Sequence, residues 1–130
     1  MSPEAPPRVL ILADDLIWST RLVELVRGAG ARAVSVATAV AFERALVDAD
    51  RVLIDLTARG YDGLAAVKRA AGAGLPVLCA GQHDDHVLRR AALAAGASRV
   101  YAYRKLFEDG PDTIAAWLGT SEAPGRGADL

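Results

Sequence analysis

Five short apolar runs recur along the chain, at 8–13 (RVLILA), 32–37 (RAVSVA), 51–56 (RVLIDL), 75–80 (LPVLCA) and 98–103 (SRVYAY). Each reads as a β-strand. The first, third and fourth are nearly continuous, the pattern of strands covered on both faces, whereas the second and fifth read as sheet edges. Between them apolar residues return at helical spacing: Trp18, Leu22, Leu25 and Ala29; then Leu64, Val67 and Ala71; then Leu88, Ala92 and Ala95. Gly28-Ala-Gly30, Gly72-Ala-Gly74 and Gly96 follow these stretches, where a left-handed C-terminal residue costs least. Asp62, and Asp84 or Asp85, stand where N-caps are expected. The Ala-rich segment 38–48 is the weakest helix, and a last helix falls within 106–118 with Ile114, Trp117 and Leu118 as its apolar face.

Strand and helix therefore alternate, which is the signature of a doubly wound parallel sheet. The expected fold is α/β and flavodoxin-like, with five parallel strands in the order 2-1-3-4-5 between two helical layers. A chain of 130 residues has room for one such core, placed at 8–118, with 1–7 and 119–130 as disordered tails. Lys and Arg number 15 against 16 Asp and Glu, a net charge of −1, so no global basic field draws the chain to nucleic acid or to an anionic membrane. The one cysteine, Cys79, lies within an apolar run, which fits a reducing compartment and excludes a cysteine-based zinc cluster. Without an apolar leader or a membrane-length span, the expected location is the cytoplasm.

In a doubly wound sheet the ligand crevice lies beyond the strand C-termini where strand order reverses, here between strands one and three. Asp14 and Asp15 follow strand one, and Asp55 closes strand three. Asp14 or Asp15 alone reads equally well as a helix cap, but Asp55 follows Val52-Leu53-Ile54 in a central strand, where an unpaired carboxylate is expensive. Three carboxylates at one crevice suit a hard divalent cation with oxygen ligands, magnesium being the natural choice.

These residues resemble the receiver domains of two-component response regulators, over 8–118. The resemblance rests on the pair Asp14-Asp15, on the loop 55–63 (DLTARGYDG), on Leu75-Pro-Val77 and on Ala95-Gly-Ala97. It implies that Asp55 is the phosphoacceptor. It also implies magnesium held by Asp15, by Asp14 through water, by Asp55 and by the backbone carbonyl of Thr57. The metal positions are kept, whereas the switch positions depart from the family. Gly81 stands where a Ser or Thr hydroxyl ends strand four, Tyr103 where a Lys ends strand five, Val100 where the toggling aromatic belongs, and Arg59 where Pro is usual. Gln82, His83 or Lys105 are the candidate substitutes for the missing contacts.

The resemblance therefore implies a stand-alone, non-enzymatic signalling protein whose partner is a sensor kinase or a downstream signalling protein. Asp55 acts either as a magnesium-dependent phosphoacceptor with an impaired switch, or not at all, the chain then being a phosphorylation-independent pseudo-receiver. Arg89, Arg90, Arg99, Arg104 and Lys105, followed by Glu108, Asp109 and Asp112, suggest a twofold dimer through the fourth helix, fifth strand and last helix, beside the plainer reading of a solvated face. A small-molecule binder is disfavoured because no glycine-rich phosphate loop follows strand one. A hydrolase lacks a general acid at a recognisable spacing. His83 and His86 around Asp84-Asp85 read as loop and cap residues rather than as a zinc site.

Overall fold

The computed structural model describes residues 5–119. The expected tails lie mostly outside these residues, at 1–4 and 120–130. The elements run β1 (Arg8–Leu12), α1 (Leu16–Gly28), β2 (Arg32–Val36), α2 (Ala39–Ala45), a 3₁₀ turn (Leu46–Asp48), β3 (Arg51–Asp55), α3 (Gly63–Gly72), β4 (Val77–Gly81), α4 (His86–Ala95), β5 (Arg99–Ala102), α5 (Tyr103–Asp109) and α6 (Pro111–Leu118). All strand pairs are parallel and the sheet order is β2-β1-β3-β4-β5.

Alternation along each strand divides the core into two layers. Leu10, Leu12, Val52, Ile54, Val77 and Cys79 face α2, α3 and α4, with Phe42, Val67 and Ala92 packed on them. Val9, Ile11, Leu53, Leu78 and Ala80 face α1, α5 and α6, covered by Leu22, Val26, Leu106, Ile114 and Trp117. The interiors of the β1, β3 and β4 runs are continuously apolar because both of their sides are covered.

Helix starts follow the acidic and hydroxyl residues. Thr38 accepts from the Ala41 N–H at 3.1 Å, Asp62 from Ala65 at 3.0 Å and Asp85 from Leu88 at 3.0 Å. Between the two candidates for the fourth helix, Asp85 is the cap. At the other end of that helix Gly96 has φ +119°, and a Cβ there would stand 2.5 Å from the Ala71 Cβ of α3, so glycine is required twice over.

Three expectations need correction. Strand four begins at Val77 rather than at 75, because Pro76 has no N–H to give the ladder, and it runs on through Gly81. Strand five stops at Ala102, and Tyr103 opens a helix. The expected single last helix is a pair, α5 and α6, separated by Gly110 at φ 61°, ψ −145°, a backbone region that side chains exclude. Pro111 then opens α6, where its fixed φ suits a first turn. The far end of α6 is tied to the sheet by Arg51, whose Nη1 donates to the Trp117 carbonyl at 2.8 Å.

Candidate functional site

The C-terminal ends of β1, β3, β4 and β5 bring together Asp14, Asp15, Thr57 and Tyr61 on their loops, Gly81 at the end of β4 and Tyr103 at the start of α5. Asp55 is the last residue of β3 and is 2% exposed. A carboxylate so enclosed needs donors or a cation. Its Oδ1 accepts from the Thr57 N–H at 2.9 Å and from the Thr57 hydroxyl at 2.9 Å, and it also accepts from the Tyr103 hydroxyl. The two hydroxyls stand 2.6 Å from each other. They hold two hydrogens for three oxygen pairs, so either residue can donate to the carboxylate directly while the other donates to its neighbour. No cation pairs with Asp55 among the described residues, and its Oδ2 meets no hydrogen-bond donor there.

Burial first, and then the hydrogen bond to Asp55, push the Tyr103 phenol well above its ordinary value against a lowering contribution from Thr57. The group therefore stays a donor. Its ring stacks on Trp18 of α1, with centroids 4.7 Å apart and planes inclined by 22°.

The other acidic side chains are turned to backbone amides. Asp14 Oδ2 accepts from the Gly60 N–H at 2.8 Å, and Asp15 Oδ1 accepts from the Trp18 N–H at 3.0 Å as the N-cap of α1. A Cβ at Gly60 would stand 2.8 Å from that Asp14 oxygen, so a residue without a side chain permits the contact. Tyr61 adds a second phenol to the crevice: its hydroxyl lies 2.6 Å from the Asp55 carbonyl and 3.0 Å from that of Leu12, bridging the ends of β3 and β1. Burial and then the charge of Asp55 and Asp14 hold this phenol protonated.

As donor types, Asp14, Asp15, Asp55 and the Thr57 carbonyl suit magnesium. One oxygen of each carboxylate already has a partner. Asp14 and Asp15 are engaged by amides, Asp55 Oδ1 by Thr57 and Tyr103, and no group of three or more His, Cys, Asp or Glu among the described residues stands together as a metal site. His83, His86, Asp84 and Asp85 form no such group either.

The switch positions lie as follows. Gly81 is buried at the end of β4, where an added Cβ would make ordinary van der Waals contact with Leu56 at 3.9 Å. Val100 is buried on the α3–α4 side, while Tyr101 lies on the opposite side of the sheet. Lys105 is not at Asp55. Its Nζ pairs with Asp109 at 2.9 Å and lies 5.8 Å from the Tyr101 ring. Among the described residues Gln82 and His83 make no hydrogen bond to Asp55 or Thr57, but with Trp18, Gly81, Tyr103 and Phe107 they line a cavity of about 290 Å³. Arg104 pairs with Glu108 at 2.8 Å within α5, so both cations of that helix are balanced inside one chain. Sequence reading missed three contributors: the Tyr103 hydroxyl, the Tyr61 hydroxyl and the Gly60 amide. Of these Gly60 and Tyr61 carried a signal, lying within the acidic loop 55–63.

No protein-family model matches the sequence, and no curated protein matches it. Solved structures do. The chain is similar to a response regulator receiver protein from Burkholderia phymatum, 29% identical with a TM-score of 0.71 over 88% of this chain and 97% of that one. It is similar also to the CheY-like receiver domain protein from Methanospirillum hungatei JF-1, at 19% identity and TM-score 0.71 over 88% and 94%. A third likeness, to chemotaxis protein CheY4 of Vibrio cholerae, has 18% identity and TM-score 0.72 over 88% and 97%. The chain therefore has the fold of the CheY-like response-regulator receiver domains.

Proposed function

We propose that this protein is a phosphorylation-independent receiver-type signalling module that acts by contact with a protein partner, a sensor kinase or a downstream signalling protein. The observation that carries the reading is the state of Asp55. Its Oδ1 is satisfied by Thr57 and by the Tyr103 hydroxyl, at the position where the receiver pattern has a lysine. A phosphoryl group arriving there would meet no cation and no β4 hydroxyl, because Gly81 supplies none and Lys105 is paired elsewhere. Charge on a transferring phosphoryl group is normally met by just such fixed donors and cations. Receiver domains typically bind magnesium at this place. In this chain Asp14 and Asp15 serve Gly60 and the start of α1 instead, so the reading routes no step through a metal.

One observation favours a second reading, in which Asp55 is a slow phosphoacceptor: among the described residues no donor reaches its Oδ2. Incubation with a small phosphodonor and magnesium, followed by intact-mass measurement, separates the two. The first reading expects no phosphoryl adduct on the wild type. An adduct that forms on the wild type and disappears in Asp55→Asn would establish the second.

A further inference from the structure

Tyr103 is the first residue of α5 and follows β5 without a loop. The N-cap position before it is Ala102, and no side chain caps the helix there. The exposed amides of such a start are ordinarily satisfied by a capping oxygen. The tyrosine of this first turn is tied down through its side chain: its hydroxyl reaches Asp55 and Thr57 across the end of β3, and the residue is 8% exposed. The ring lies against Trp18, which in turn stacks at 5.2 Å on Phe107, one turn further along α5. The Arg21 guanidinium stands 5.5 Å from the Trp18 ring and 5.6 Å from that of Phe107. Beside the stack lies the cavity of about 290 Å³.

We infer that Tyr103 is a latch between the buried carboxylate and the α1–α5 face. Its hydroxyl, anchored on Asp55 and Thr57, fixes the first turn of α5, and its ring passes that constraint to α1 through Trp18. Removing the anchor releases the first turn, and the neighbouring cavity gives the ring room to leave. The inference deepens the function proposed above and takes from it the engaged state of Asp55. It makes Tyr103 a positioning residue for the surface a partner meets.

The test is hydrogen exchange of the full chain, without any phosphodonor, in the wild type and in Asp55→Asn, Asp55→Ala and Tyr103→Phe. Asp55→Asn keeps an oxygen acceptor for the phenol and should retain near-wild-type protection. Asp55→Ala and Tyr103→Phe should each speed exchange at 103–109 and 16–20 by about tenfold or more, the size expected for losing a hydrogen bond to a charged acceptor. Peptides from β2 and α3 should stay unchanged and report that the fold persists. Unchanged exchange at 103–109 in both variants overturns the latch. So does an equal rise in every element, which would mean that the contact supports only global stability. Since no donor is present, either failure leaves the phosphorylation-independent reading standing, and an adduct on Asp55 in the mass experiment leaves the exchange result intact.

Discussion

Asp55 could be singled out from sequence because a carboxylate closing a central apolar strand has to be explained by something. What satisfies it could not. Tyr103 read as the end of a strand, and only the start of α5 one residue after Ala102 aims its hydroxyl at β3. At Gly81 an added Cβ would make only ordinary van der Waals contact with Leu56, so Gly81→Thr should be tolerated, changing the unfolding free energy by less than about 1 kcal/mol in a urea titration. A larger loss would mean that the apparent room at the end of β4 is already used. Cys79 gives a second prediction. Burial pushes its thiol far above the ordinary range, so a thiol reagent should label it only on unfolding. The unfolded chain loses that proton at about pH 8.5 whereas the folded chain keeps it, so this group's contribution is complete below about pH 8.5. Above that, stability falls as pH rises, by up to about 1.4 kcal/mol per unit. Stability that stays level from pH 8 to 10, or rises, would contradict the buried-thiol assignment.

Elements were legible where a cap and a period agreed. The Asp62 start of α3 is such a case, and Asp62→Ala should cost about 0.5–2 kcal/mol in chemical denaturation through loss of the Ala65 amide's partner. Glycine positions were legible as stops but not as junctions. Gly96 was expected to end α4, yet its closeness to Ala71 depends on how α3 and α4 pack, which no local pattern encodes. Gly96→Ala combines a positive φ with a Cβ 2.5 Å from another and should destabilise by more than about 2 kcal/mol, read as a shift of the urea midpoint. Gly110 divides what helical spacing joined into one helix, because Leu106, Ile114 and Trp117 all belong to one buried face even though the backbone breaks between them.

For the molecule as a whole, the alternation of apolar runs with helical stretches was enough to place five strands and their order. Each central strand must be covered twice, and only helices on both faces do that. The site was half legible, since its acids follow from strand ends while its closure depends on which side chains cross between elements. Tyr103 reaches Asp55 from 48 residues away, and Gly60 reaches Asp14 from 46. Among the described residues no helix is long and apolar enough to cross a membrane. The account stands on the contact between Tyr103 and the Asp55 carboxylate, and a double-mutant cycle in equilibrium unfolding measures it. Tyr103→Phe, Asp55→Ala and the pair should be non-additive by about 1–3 kcal/mol, the double variant losing less than the sum of the singles. Additivity within about 0.5 kcal/mol would show that the two residues do not hold each other.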